Sequence, residues 1–391
     1  MPKQQPAPSS AKPTTGGAAD SPVDSRSDED ITEEILSLTK ELVRFPTTKE
    51  QPAELRRCAD FVKRYFKGTG LIVDEMEREG KPTVLVSFRK TLTPQVLLLG
   101  HLDVVEASAG MFTAVERDGR LWGRGTDDMK SQDAALMVLM KHLARRGERR
   151  DIMLAFTSDE EIGGKDGARL LVEKGVRPEV VFAPDAGTDM GVVTKEKGIL
   201  HLKLIFKGKS THGSRPWLGE NAIEKAIDAY QKIKALFPPT TEEDRWKPTV
   251  NLGMLRGGEA VNQVPDRAEL CLDFRYTGVT SEEEILRKVE RIAPVEKEVI
   301  SRGAPVDTPD DNPWVRRWLS SAKEALGKTL EVQYAHGASD LRHFADVGIP
   351  GFLCDIPGEG AHSQEEYTEI SGIAPYYRVL EHFVLRHVRK A

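Results

Sequence analysis

Cysteine is scarce in this chain: three in 391 residues, Cys58, Cys271 and Cys354, widely spaced and without a Cys-x-x-Cys pair. That argues against a thiolate zinc site and a disulfide framework, and it suits a reducing cytoplasm. Each cysteine reads as a small buried apolar residue. Long apolar runs are missing too. No stretch of signal-peptide type opens the chain, and no segment has the length and apolarity of a membrane span. Residues 1–28 are rich in Pro, Ser, Ala, Gly and Asp; they read as a disordered tail, too polar to bury a core. Charge of one sign is not in excess: a net charge of −6, with no cluster of basic and aromatic residues, gives no nucleic-acid surface. What remains is an ordinary soluble composition in a chain long enough for two domains.

Two patterns follow one another. From Asp30, apolar residues at helical spacing (Ile31, Ile35, Leu36, Leu38, Leu42, Val43) predict a helix, and 53–66 a second. Short apolar runs at 83–88, 95–100, 151–157 and 180–183 predict strands, alternating with helices at 131–145 and 167–174. This is α/β: a doubly wound, mostly parallel sheet with helices on both faces. After Gly198 the period changes. Residues 200–207 alternate with period two, as in a sheet with one wet face. The order strand, helix (219–236), strand (249–255), strand (268–275), helix (to Ile292), strand (295–300) is a split βαβ sandwich. Ser281 caps its second helix, with Glu284 in the capping-box position. The α/β pattern resumes near Pro313 with a helix to Leu326, strands at 330–334 and 351–354, and a last helix at 372–388. The expected division is therefore a catalytic domain of 29–198 and 303–391, with 199–302 inserted.

Five residues able to bind metal punctuate the first pattern and its return: His101, Asp128, Glu161, Asp185 and His362. His101 closes Gln95-Val-Leu-Leu-Leu-Gly-His101, Glu161 follows the apolar run 151–157, and Asp185 follows Val180-Val-Phe-Ala-Pro184. In open α/β sheets the carboxyl ends of strands line the functional crevice. Two imidazoles and three carboxylates suit two divalent cations sharing one carboxylate, which implies hydrolysis by activated water. Each piece has a plainer reading. His101 with Asp103 can be a structural pair, although a metal-binding histidine also wants such a partner to fix its tautomer. In Leu121-Trp-Gly-Arg-Gly-Thr-Asp-Asp-Met-Lys130 the acids can merely cap a helix. Ser158-Asp-Glu-Glu-Ile-Gly-Gly164 can be a solvated acidic turn. Adjacent carboxylates raise each other's pKa unless a cation intervenes; beside a metal pair, one glutamate can ligate and the other take a proton from water.

From Asp30 onward these motifs resemble the zinc-dependent amidohydrolase and exopeptidase family of acetylornithine deacetylase, succinyl-diaminopimelate desuccinylase, aminoacylase-1, carboxypeptidase G and the carnosinase-like dipeptidases. Gly-Arg-Gly-x-Asp-Asp-Met-Lys and Ser-Asp-Glu-Glu-Ile-Gly-Gly carry the resemblance most specifically. It implies that His101, Asp128 and Asp185 hold one metal and Asp128, Glu161 and His362 the other. Asp128 would bridge, with a cis peptide often following that position. Asp103 would support His101, and Glu160 would be the general base. The insert would be a lid and dimerisation domain. Ser210-Thr-His-Gly-Ser-Arg-Pro216 matches the segment whose histidine, here His212, reaches the partner subunit's site to stabilise an oxyanion. Asn262 matches a substrate-contacting lid position. Arg342, in Gly337-Ala-Ser-Asp-Leu-Arg342, matches an arginine that meets a substrate carboxylate in a bidentate fork. A lid-surface role for His212 and a salt bridge from Arg342 to Asp340 stay open. Ser131, Glu106 and Leu341 depart from the pattern, and Leu341 adjoins the Arg342 position.

The resemblance implies an enzyme, a homodimer acting on a small peptide or N-acyl amino acid with two divalent metals, zinc first, with cobalt and manganese also suited to the ligands. A dipeptidase or exopeptidase is the first reading and an N-acyl-amino-acid deacylase the alternative. A non-catalytic metal-binding protein on the same fold would be expected to have lost a ligand or the base, and all six positions are present.

Overall fold

The computed structural model describes residues 25–241 and 245–391; most of the expected tail, residues 1–24, lies outside the described part. Helix α1 (Asp28–Val43) starts within the last residue assigned to that tail, because Ser27 and Asp30 close a reciprocal capping box. Helix α2 (Pro52–Tyr65) has proline in its first turn, where the missing N–H costs nothing. Strands β1 (Ile72–Arg78) and β2 (Lys81–Ser87) form an antiparallel hairpin. Then come β3 (Val96–His101), a small hairpin of β4 (Val115–Arg117) and β5 (Arg120–Trp122), α3 (Ser131–Arg145), β6 (Ile152–Thr157), α4 (Ala168–Glu173), β7 (Val180–Ala183) and β8 (Val192–Glu196).

Next is the inserted unit: β9 (Gly198–Lys207), α5 (Ala222–Lys234), β10 (Thr249–Gly257), β11 (Arg267–Tyr276), α6 (Glu282–Ile292) and β12 (Glu296–Gly303). The chain returns through β13 (Val306–Asp307), α7 (Pro313–Leu326), β14 (Val332–Ala335), α8 (Leu341–Ala345), β15 (Gly351–Leu353), β16 (Gly358–Glu359), β17 (Tyr367–Glu369) and α9 (Ile370–His387).

The large sheet runs β1-β2-β6-β3-β7-β15-β8-β13, with β14 also on β8. Its centre, β6-β3-β7-β15, is parallel, and antiparallel strands flank it. Side chains alternate across it. Val96, Leu98, Ile152, Leu154, Phe156, Val180 and Phe182 pack under α1, α2, α3, α7 and α9. Leu97, Leu99, Met153, Ala155, Val181 and Ala183 pack on the other face with α4 and α8. Both faces are covered, so these strands read as unbroken apolar runs. Each buried Val, Leu or Phe contributes on the order of 1.5–3 kcal/mol.

The insert has its own antiparallel sheet, β10-β11-β9-β12, and its own core beneath α5 and α6. Ser281 caps α6 through the Glu284 N–H. The Glu284 carboxylate turns to Lys288 instead of completing the expected box. A third sheet, β16-β17-β5-β4, ties the 358–369 segment to the 115–122 hairpin. Among the described residues, no helix is long and apolar enough to cross a membrane, and Cys58, Cys271 and Cys354 are free.

Candidate metal centre

Because β6, β3 and β7 are parallel, their carboxyl ends deliver His101, the Ser158–Glu161 turn and Asp185 to one edge of the sheet. Asp128 comes from the loop before α3, and the Asp128–Met129 peptide is cis. Gly125 in that loop has φ +84, and a Cβ there would stand 2.9 Å from Val104 Cγ1 and 3.0 Å from Lys130 Cδ, so only glycine lets the loop lie this close. Lys130 is buried and donates to the Phe45 carbonyl at 2.8 Å, which gives the motif's lysine a structural task. The two aspartates do not cap α3, which has no side-chain cap.

His362 arrives from the far side of the insert, in a turn closed by Ser363 N–H to Gly360 O at 2.8 Å. Gly360 has φ +85, and a Cβ would meet Glu365 O at 2.3 Å. The five expected ligands therefore gather. His101 Nε2 lies 3.0 Å from Asp128 Oδ1 and 3.5 Å from Asp185 Oδ1. His362 Nε2 lies 3.1 Å from Asp128 Oδ2 and 2.9 Å from Glu161 Oε2. Asp128 thus presents one carboxylate oxygen to each histidine. Ligand atoms of Asp128, Glu161 and His362 all lie within 4.8 Å of one another, as do those of His101, Glu160 and Asp185.

The donor set fits a pair of divalent cations. His101 Nδ1 is taken by the Asp103 carbonyl at 3.0 Å, which leaves Nε2 facing the carboxylates. Glu161 Oε1 accepts from Val105 N–H at 3.2 Å, leaving Oε2 for the site. On the protein's own charges the cluster is strained. Burial, then neighbouring carboxylates, pushes Asp185 up to about 7. Burial, Asp185 and Asp340 hold Glu160 well above the carboxylate range. Asp128 is held below that range, because His101 and His362 outweigh the opposing effect of burial. His362 is raised to about 10 by Asp128 and Glu161. Cations among these groups would relieve the crowding of negative charge.

Asp103 acts differently from expectation. Its carboxylate is 3.6 Å from His101 Nδ1, beyond hydrogen-bond range, and accepts instead from the backbone N–H groups of Glu160 (3.2 Å) and Glu161 (3.0 Å). Its backbone carbonyl, not its side chain, orients the histidine. Arg342 is buried and makes no bridge to Asp340. Its Nη1 lies 3.8 Å from Glu160 Oε1 and donates to the Ala338 carbonyl at 3.1 Å.

His212 and Asn262 sit apart from this cluster on the insert. Gly213 N–H donates to Asn262 O at 2.6 Å, and His212 bridges Gln263. His212 is exposed, its ring bonded to Ser214. Among the described residues, no hydrogen bond or ion pair joins it to a metal-ligand residue.

Two lysines were not foreseen. A cavity of about 340 Å³ adjoins Glu161 and His362, walled by Val104, Val105 and Ile162, with Lys49, Lys81 and Glu106 also lining it. Lys81 reaches this cavity because the Ser158 hydroxyl holds the Pro82 carbonyl at 2.6 Å, tying the start of β2 to the Ser158–Glu161 turn. No motif marks Lys81; only the fold brings it there.

Residues 97–386 match peptidase family M20/M25/M40. The chain is 26% identical over 362 residues to the succinyl-diaminopimelate desuccinylase of Wolinella succinogenes, covering 88% of this chain and 98% of that one. It is 30% identical over 325 residues to the enzyme of the same name from Burkholderia lata, covering 73% and 82%. The aminopeptidase PepT of Bacillus cereus has a similar fold, with a TM-score of 0.74 at 21% identity over 90% of this chain and 98% of that one.

Proposed function

The chain belongs to peptidase family M20/M25/M40, and from that premise we propose that it is a dinuclear-metal hydrolase of an amide bond beside a free carboxylate. The observation that carries this reading is Asp128, whose two oxygens face His101 and His362 separately. His101, Asp128 and Asp185 would hold one divalent cation and Asp128, Glu161 and His362 the other, zinc first. When bound, such cations polarise a carbonyl and acidify water.

Glu160 takes the proton from the attacking water and returns it to the leaving nitrogen. Its half-buried carboxylate, with an oxygen within 4.8 Å of ligand atoms of His101 and Asp185, supports that role. Arg342 beside it receives the substrate carboxylate. Asn262 and His212 act from the lid, His212 on the site of a second subunit as an oxyanion donor, so the working form is a homodimer. The three free cysteines suit the cytoplasm.

A dipeptidase or exopeptidase is the first reading of the substrate. The lysine-bearing cavity favours a second: an N-acyl-amino-acid deacylase whose acyl chain ends in an acid, the desuccinylase type.

Metal analysis, chromatographic sizing and a panel of dipeptides, N-acetylornithine and N-succinyl-diaminopimelate test the proposal together. The expected result is two cations per chain, a dimer, and hydrolysis of one substrate class. Glu160→Gln should lower turnover by about 10²–10⁴-fold with both cations retained; full turnover in that variant would remove Glu160 as the base.

A further inference from the structure

The loop that carries Asp128 and the turn that carries His362 close on one buried ion pair. Arg124 and Glu366 are each 1% exposed. Glu366 Oε1 accepts from three backbone N–H groups of one loop: Gly125 at 2.8 Å, Asp127 at 3.0 Å and Asp128 at 3.1 Å. Glu366 Oε2 accepts from Arg124 Nη1. Arg124 Nη2 donates to the carbonyl of Ser363, the residue after His362, at 2.8 Å. The backbone repeats the connection: Gly123 N–H donates to Glu366 O at 3.1 Å, and Tyr367 pairs with Trp122 across β17 and β5.

Three N–H groups converging on one oxygen form a nest that favours an anion, and charge-assisted bonds of this kind are about twice as strong as neutral ones. Arginine suits the other half, because its rigid fork reaches a carboxylate and a carbonyl at once. The nest ends on the amide of Asp128 itself, and the fork ends one residue from His362. Asp128 must keep one oxygen 3.0 Å from His101 Nε2 while the other stays 3.1 Å from His362 Nε2. A small shift of either loop breaks one of those relations.

We propose, resting on the reading that these side chains hold two cations, that Arg124 and Glu366 are a positioning pair that sets Asp128 against His362. Losing the pair then weakens the cation held by Asp128, Glu161 and His362 more than the one beside His101 and Asp185.

The test is calorimetric titration of zinc into the metal-free full chain, for the wild type, Glu366→Gln, Arg124→Lys and a control, Asp151→Asn. Asp151 is also a buried carboxylate, paired with Arg89 and Arg389, but it precedes β6, at the opposite end of that strand from Glu160. Glu366→Gln should weaken one zinc by at least about tenfold and the other less. Arg124→Lys keeps the charge but not the fork, and should weaken the same zinc. The visible spectrum of the cobalt-loaded chain should change in both variants. Asp151→Asn should lose comparable thermal stability with both affinities kept. The proposal is overturned if Glu366→Gln binds both cations like the wild type, or if the control weakens zinc as much for an equal loss of Tm. A wild type that binds no pair of cations would overturn the reading of the site itself, and this inference with it.

Discussion

Individual residues at the site have separable tasks, and their variants should fail in different ways. Asp103 holds the N–H groups of both Glu160 and Glu161, so Asp103→Ala frees the turn that carries the proposed base and one proposed ligand. We expect a loss of metal affinity of about 10–100-fold, measured by competition with a chelator. An unchanged affinity would mean that the apolar strand β6 alone fixes the turn. Gly100 shows a steric constraint next to His101. A Cβ there would stand 2.1 Å from Asp133 Oδ1 and 3.1 Å from two carbons of the Phe156 ring. Asp133 is fully buried on α3, so the helix and the end of β3 must part. Gly100→Ala should cost about 1–3 kcal/mol, read as a lower midpoint in denaturant. The gathering of His101, Asp128, Glu161, Asp185 and His362 was legible in the sequence because each stands beside a strand end or in a glycine-marked loop. Lys81 and Glu366 were not. Their roles depend on which loops the fold places side by side, and no local spacing records that. The task of Asp103 was half legible, since a His-x-Asp pair does not say whether carbonyl or carboxylate meets the ring.

Elements were legible where apolar periodicity was strong, as in α1, β3, β6 and α3. They were missed where a mostly polar strand is held by pairing with only one or two apolar side chains, as Val73 and Met76 in β1. β1 reads Ile-Val-Asp-Glu-Met-Glu-Arg and is half exposed, yet it pairs with β2 over its full length. Its turn, Glu79-Gly80, has positive φ at both residues. Asp118-Gly119 between β4 and β5 has the same geometry, and Asp-Gly is a strong hairpin signal that could have located those strands. Helix α1 owes part of its docking to a polar cluster. Glu34 takes Arg26 Nη1 at 2.5 Å and lies 3.0 Å from His142 Nε2 on α3, while His142 meets Tyr377 of α9 at 3.1 Å. Burial raises the Glu34 carboxyl, but the hydrogen bond and charge of His142, with Arg26 and Lys141, carry it below its ordinary value of 4.5. A depressed carboxylate stabilises the fold above its unfolded pKa, and that contribution disappears as pH falls through the folded one. Glu34→Gln should therefore cost about 1 kcal/mol near neutral pH, with the Tm gap to the wild type closing below pH 4.5. A gap that persists in acid would assign the loss to packing.

At the scale of the whole molecule, the insert separates His362 from His101, Asp128, Glu161 and Asp185 along the chain without separating them in space, because β13 returns to the large sheet antiparallel to β8. The change of period at Gly198 made the insert legible; a role toward a second chain came only from the family resemblance, since periodicity describes one copy. His212 and Asn262 are joined through Gly213 but face solvent on the insert, which also exposes Trp217, Leu218 and Val261. Exposed apolar side chains beside a histidine that, among the described residues, bonds to none of the clustered His, Asp and Glu side chains of its own subunit suit a surface that a partner covers. If His212 serves the partner's site, two dead chains can rescue each other. A Glu160→Gln chain keeps His212, and a His212→Ala chain keeps Glu160. In a mixed dimer, the site with Glu160 receives His212 from the other subunit. Random exchange of subunits in an isologous dimer then restores about a quarter of wild-type activity, from two preparations that are each nearly inactive. Activity that never exceeds the sum of the two separate preparations, after exchange is verified by a mass-tagged subunit, would confine His212 to the surface of its own lid.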